Sequence, residues 1–283
     1  MHFKTVVSVI TEPALAELAI SVAAGMALHH DGHLDALALG VDAAQPGYSY
    51  IGSGVALTDW SVQRAEADAK AAALAARTAL MGQQPELRWS LETAMTVAGR
   101  VTELVAEMAA FADLVVQPAP QDKAQGELAD AVIEAALFDG GAPVLILPKG
   151  ADPAKAVSPK RIVLAWNQSA EALHAAKRAL PLLQAAEGVD LAVIDPPLAG
   201  AERSDPGGPL CQFLARHGVK VEVSVLTRSL PKVSEVLAQH ALDRNADLLV
   251  MGAYGHSRLR EAVLGGATRE VLRTTRIPVL MAH

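Results

Sequence analysis

Short apolar segments alternate with longer segments of helical periodicity along the whole chain. In the second half the pattern predicts strands near 161–166, 189–195, 219–226, 246–252 and 278–282, and helices near 169–187, 208–217, 231–245 and 267–275. In the first half it predicts strands near 4–10, 33–41, 86–92, 112–117 and 143–147, with a helix at 58–82 after a loop at 45–54. This alternation is typical of an α/β fold in which helices cover both faces of a parallel sheet.

The α/β pattern occurs twice. Segment 4–10 aligns with 160–166, 112–116 with 246–250, and 143–145 with 278–280. Repeats of this kind indicate duplicated structural units. The segment 148–159 contains three prolines and has no periodicity, as expected of a linker. The sequence therefore predicts two tandem domains, at 1–149 and 159–283.

Glycines cluster between the fourth strand and the last helix of the second half. Gly252 and Gly255 are followed, after nine residues, by Gly265 and Gly266, and then by Ala267 and Thr268. Glycine allows the backbone to approach a ligand closely, and a helix N-terminus offers free N–H groups to an anion. Glycines after a strand also form ordinary turns, but open α/β sheets bind ligands at this edge. The stretch has no Gly-Lys-Ser/Thr sequence, so it does not indicate a P-loop.

The spacing G-x2-G-x9-G resembles the nucleotide-binding motif of universal stress proteins, and the resemblance extends from Lys160 to His283. It implies two five-stranded domains of strand order 3-2-1-4-5. Their last strands, 143–147 and 278–282, are expected to pair antiparallel, since unpaired edge strands promote aggregation. This pairing would give an internal pseudo-two-fold, and a homodimer through another face stays open.

The same resemblance implies a set of nucleotide-binding residues in the second half. Contacts to the base are expected from Ala165, Asn167 and the backbone of Val193. Asn167 stands where the family commonly has aspartate, and Asn167 or Ser169 could instead cap the following helix. Contacts to the phosphates are expected from the glycine stretch: Gly252, Tyr254, Gly255, Gly265, Gly266, Ala267 and Thr268. Tyr254 stands where the family often has arginine.

The first half lacks this site. Pro118 and Gln121 occupy the positions of Gly252 and Gly255, and Thr11 that of the first-strand aspartate. Proline cannot donate a backbone hydrogen bond to phosphate. We therefore expect one nucleotide per chain and a structural or partner-binding role for the first half.

Composition narrows the class of protein. The chain is 51% apolar but only 4% aromatic, so its cores should be aliphatic. No apolar run is long enough for a membrane span, and the single cysteine, Cys211, is expected to be a buried and unreactive thiol. Without a recognisable signal peptide, a cytoplasmic protein is the expectation. Residues 1–150 carry a net charge of −10 and residues 151–283 one of +3, which is too small to indicate nucleic-acid binding.

The sequence favours a binding protein over an enzyme. The leading hypothesis is a stress-response protein that binds an adenine nucleotide as a sensor or regulator and acts on an unidentified protein partner. ATP is the expected ligand, with or without Mg²⁺, and ADP and AMP remain alternatives. A slow ATP hydrolase is the rival, placed second because no residue has an evident role as a water-activating base. A scaffold that binds no nucleotide is the third hypothesis. No catalytic residue and no metal ligand is assigned.

Overall fold

The computed structural model describes residues 2–42, 54–120, 123–196, 205–253 and 266–283, with backbone only at 54–58, 123–125 and 266–269. These residues form two compact units. The first contains 3–118 and 122–142, and the second contains 143–283 together with 1–2 and 119–121. The strand near 144 thus packs with the second unit, although the linker lies after it in the sequence. In the described part of the chain, no helix has the length and apolar character to cross a membrane.

The first unit is a four-stranded parallel sheet of order β3-β2-β1-β4. Its strands are β1 (Thr5–Ile10), β2 (His33–Asp42), β3 (Arg88–Val97) and β4 (Leu114–Pro118). Its helices are α1 (Ala16–His29), α2 (Gly54–Met81), α3 (Val101–Ala109) and α4 (Lys123–Glu134). The predicted loop at 45–54 lies almost wholly outside the described residues.

The second unit contains a six-stranded sheet of order β5-β10-β9-β6-β7-β8. Its strands are β5 (Val144–Leu147), β6 (Arg161–Trp166), β7 (Gly188–Ile194), β8 (Val221–Leu226), β9 (Leu248–Gly252) and β10 (Val279–Ala282). Its helices are α5 (Pro153–Val157), α6 (Ala170–Arg178), α7 (Leu180–Ala185), α8 (Gly208–Arg216), α9 (Val233–Asp243) and α10 (Gly266–Thr274). The predicted order 3-2-1-4-5 is confirmed in strands β6 to β10.

The last strand of each half pairs as expected. β5 and β10 run antiparallel, with Leu145 opposite Leu280 and Ile146 opposite Val279. All four residues are fully buried. The two apolar edge strands thus satisfy each other's backbone groups and exclude water.

Most predicted elements differ from the observed bounds by a few residues, and two of the differences have a physical reason. The helix expected at 169–187 is divided into α6 and α7, because Pro181 in the first turn of α7 cannot donate a backbone hydrogen bond and would clash with the preceding turn. β3 extends to Val97 rather than to 92, since it pairs with the whole length of β2.

The cores are aliphatic as predicted. The largest fully buried side chains are those of Ile20, Met26, Leu34, Leu37, Leu39, Leu80, Leu114, Ile133, Leu137, Leu145, Ile146 and Leu147.

An aspartate before the fourth strand of each half explains one of the sequence repeats. The Asp113 carboxylate accepts hydrogen bonds from the backbone N–H groups of Lys4 at 2.7 Å and Thr5 at 3.0 Å. The Asp247 carboxylate accepts from those of Lys160 at 3.0 Å and Arg161 at 3.1 Å. Each carboxylate therefore ties the start of a fourth strand to the start of a first strand.

We expect Asp113→Ala and Asp247→Ala each to lower the free energy of unfolding by about 1–3 kcal/mol, since each leaves two backbone donors without a charged acceptor. Urea denaturation monitored by circular dichroism measures this loss. Glu187→Gln is the matched control, because the Glu187 carboxylate is exposed and forms only a long ion pair with the Lys160 ammonium group, at 3.8 Å. The control should stay within about 0.5 kcal/mol of the parent. Equal effects of the control and the two aspartate variants would contradict the capping role.

Candidate functional site

Gly252 ends β9 at the carboxyl edge of the second sheet, against the first turn of α6. A Cβ atom at this position would lie 2.5 Å from the backbone nitrogen of Ala172 and 2.6 Å from the carbonyl carbon of Glu171. Backbone atoms of a helix cannot move away from an added Cβ atom as the end of a flexible side chain can. Helix packing alone therefore requires glycine here, whatever ligand the site takes.

We expect Gly252→Ala to lower the free energy of unfolding by about 1–3 kcal/mol, because the added methyl group must push α6 away from β9. Thermal and urea unfolding measure the loss. Gly188→Ala serves as the control, since a Cβ there meets no atom within 4 Å. A Gly252→Ala protein as stable as the control would show that α6 is not packed as described.

The end of β6 and the start of α6 are held by side-chain capping. The Ser169 hydroxyl accepts a hydrogen bond from the backbone N–H of Ala172 at 3.1 Å, as an N-cap residue does. The Asn167 side-chain oxygen accepts from the backbone N–H of Ser169 at 3.2 Å. Of the two residues, Ser169 is therefore the N-cap of α6, and Asn167 forms a local turn immediately before it. The Asn167 side chain is nevertheless exposed, so its amide NH₂ group can still face a ligand.

The other predicted base contacts lie beside Asn167. Val193 on β7 pairs in register with Trp166 on β6, and its side chain is only 3% exposed. Ala165 is half-buried one residue before Trp166. The adjacent ends of β6 and β7 thus bring these residues together, and their contacts to a base stay predictions.

The predicted phosphate contacts are described only in part. Gly266, Ala267 and Thr268 form the first turn of α10, where helix backbone N–H groups lack partners within the helix. Tyr254, Gly255 and Gly265 lie outside the described residues. Their roles stay predictions.

Sequence reasoning missed a contact between α10 and the start of α9. Glu270, in the second turn of α10, accepts a hydrogen bond at 3.1 Å from the hydroxyl of Ser234, which is only 2% exposed. The ammonium group of Lys232 forms an ion pair with the same carboxylate. The hydrogen bond from Lys232 lowers the pKa of Glu270, and the bond to Glu270 raises the pKa of Lys232. No local sequence pattern predicts a contact between residues that lie so far apart in the sequence.

A second charged cluster, also missed, lies at the amino edge of the second sheet. Asp190 on β7 is 6% exposed and accepts a hydrogen bond from the Ser224 hydroxyl at 3.1 Å. Its carboxylate pairs with the Arg244 guanidinium and lies 3.3 Å from Nε2 of His240. Asp190 and Arg244 line a cavity of about 550 Å³. The cluster holds the end of α9 to β7, and the signal in the sequence was a carboxylate inside an apolar strand.

Asp190→Asn should lower the free energy of unfolding by about 2 kcal/mol, because Arg244 would lose its buried carboxylate partner. Chemical denaturation measures this. Glu222→Gln is the control, since Glu222 also pairs with Arg244, at 3.2 Å, but is 67% exposed. That control should change stability by less than about 0.5 kcal/mol. A stable Asp190→Asn protein would contradict the anchoring role.

Cys211 on α8 is half-buried rather than buried. Burial, with a smaller effect from the Asp205 charge, raises the pKa of its thiol. The thiolate is therefore disfavoured, which agrees with the expectation of an unreactive cysteine.

Comparison with known proteins finds a family match in the second half of the chain. Residues 159–283 match the model of the universal stress protein family. The universal stress protein Slr1230 of Synechocystis sp. is 44% identical over 69 residues, which cover 24% of this chain and 23% of that protein. The chain thus spans about a quarter of the length of this curated relative.

Two solved structures share the fold along nearly the whole chain. A universal stress protein from Archaeoglobus fulgidus DSM 4304 is 15% identical, with a TM-score of 0.68, and the match covers 98% of this chain and 95% of that one. A functionally unknown protein from Pseudomonas aeruginosa PAO1 is 17% identical, with a TM-score of 0.59 and coverage of 99% and 92%. At these identities the likeness concerns the fold.

Proposed function

We propose that residues 159–283, which match the model of the universal stress protein family, bind one adenine nucleotide, ATP in the first place, and act as a nucleotide-dependent sensor or regulator. The observation that carries the proposal is the glycine-flanked connection from the end of β9 at Gly252 to the start of α10 at Gly266. It joins a strand end to a helix N-terminus at the edge where open α/β sheets bind ligands. Backbone donors of the first turn of α10 suit a phosphate chain.

The neighbouring strand ends suit the base and the ribose. Asn167 offers an amide donor on an exposed side chain, and the backbone of Val193 lies on the adjacent strand. An amide NH₂ group can donate to a ring nitrogen of a base. Phosphates at α10 and a base at β6 and β7 would place the nucleotide across the carboxyl ends of these strands.

The corresponding connection in the first unit supports one site per chain. There β4 ends at Pro118 and α4 begins at Lys123, so the connection is 119–122. In the second unit the connection is 253–265. The short, proline-containing connection has neither the length nor the backbone donors to surround a phosphate chain.

The proposed role is binding rather than catalysis. Exposed Asn167 and the backbone donors of α10 can hold a ligand, but neither can activate water as a general base. Mg²⁺ would enter with the phosphates of ATP, and ADP and AMP are competing ligands. An unidentified protein partner would bind differently to the nucleotide-bound and nucleotide-free forms. We also propose a cytoplasmic location, because a single cysteine such as Cys211 is typical of a protein without disulfides.

Native mass spectrometry of the purified chain and calorimetric titration with ATP test the proposal directly. We expect either a retained nucleotide or a binding isotherm with one site per chain. Two equivalent sites per chain would contradict the assignment to the second unit. A chain that retains no nucleotide and binds none of ATP, ADP and AMP would overturn the proposed function.

We expect Gly255→Val and Gly265→Val to abolish ATP binding without unfolding the protein, because a β-branched side chain would fill the space of the phosphates. Calorimetry measures binding, and circular dichroism checks the fold. Gly99→Val in the first unit is the control, since a Cβ there meets no atom within 4 Å. Folded Gly255→Val protein with the parent's affinity would refute the phosphate assignment.

A further inference from the structure

We propose that Lys232 is a cationic group of this same site, which offsets the charge of Glu270 and favours ligands with more phosphate groups. This inference rests on the proposed function, because it names a residue that tunes the same nucleotide site. Lys232 stands immediately before α9 and far from the glycine stretch in sequence. Lys232 comes near the proposed nucleotide site only because α9 packs beside α10.

The Lys232–Glu270 pair has one partly buried and one exposed member. The Glu270 side chain is 22% exposed and is held from the buried side by the hydroxyl of Ser234. Lys232 is 54% exposed and approaches the same carboxylate from the solvent side. Its ammonium group sits on a flexible four-carbon stem and has three donors, so it can turn to a second acceptor.

The pair lies close to the start of α10. Glu270 follows Gly266 by one helical turn, which corresponds to a rise of about 6 Å along the axis. Side chains on a helix lean towards its N-terminus, so the Glu270 carboxylate is displaced in the direction of the first turn. The ammonium group of Lys232 is hydrogen-bonded to that carboxylate and is therefore in the same region.

The Glu270 carboxylate is close enough to the first turn of α10 for its charge to act on phosphates bound there. The screening length in physiological salt is about 8 Å, which is comparable with the distance from Glu270 to the first turn of α10. A bare Glu270 carboxylate would therefore repel phosphates held there. Lys232 cancels this repulsion, and an ATP polyphosphate would feel the difference more strongly than the single phosphate of AMP.

A charge cycle in the full-length protein tests the proposal: the parent, Lys232→Gln, Glu270→Gln and the double variant are titrated with ATP and with AMP. Lys232→Gln should weaken ATP binding by roughly threefold to tenfold, and AMP binding less, because it leaves Glu270 bare. Glu270→Gln should bind ATP at least as tightly as the parent, and the double variant should fall between the two single variants. Glu187→Gln, which removes an exposed carboxylate before the start of β7 and away from this pair, is the control.

The outcomes separate this proposal from a purely structural role. If Glu270→Gln weakens ATP binding as much as Lys232→Gln does, the ion pair only positions α10, and the charge proposal is wrong. Equal losses for ATP and AMP would contradict it as well. Normal ATP binding by a folded Lys232→Gln protein would overturn this inference alone, whereas a parent that binds no nucleotide would overturn the proposed function and this inference with it. Thermal unfolding of each variant shows that the fold is retained.

Discussion

Backbone pairing between β5 and β10 is the constraint on which the geometry of the second unit depends. β10 is only four residues long and lies between β5 and β9, with every side chain buried. Its antiparallel pairing with β5 fixes the position of Val279, and Val279 follows α10 after a short turn. The end of α10 is therefore set by the sheet. Because the helix is continuous, the position of its first turn is set as well.

Two clusters of charged and polar groups position α9 in addition to its apolar contacts. α9 is held at its end by Arg244 against Asp190, and at its start by Ser234 and Lys232 against Glu270. Apolar contacts are not directional, so they allow a helix to slide or rotate at little cost. Hydrogen bonds to a partly buried carboxylate are directional and costly to break. The two clusters thus fix α9, and through it the helix that begins the proposed phosphate site.

The two halves share a framework and differ in one connection. Both retain an aspartate that caps the first strand, Asp113 in one half and Asp247 in the other. They differ in the connection after the fourth strand, which is 119–122 in the first half and 253–265 in the second. Capping sustains the sheet and is kept in both halves. The connection in the second half is longer by nine residues, and this difference is one reason for proposing ligand binding there.

The sequence by itself determined the fold class, the strand order of the second half, the pairing of the last strands and the glycine-flanked corner. The fold class follows from local periodicity and repetition, which a linear sequence records directly, and the pairing follows from the need to cover apolar edge strands, whereas the strand order was implied by the resemblance to universal stress proteins. Tertiary structure decided other matters: that α6 leaves no room for a Cβ atom at Gly252, and that Glu270 contacts Lys232 and Ser234. Each of these depends on two segments that approach only after folding. A side chain's role is set by what lies within a few ångströms of it, and sequence distance does not encode that.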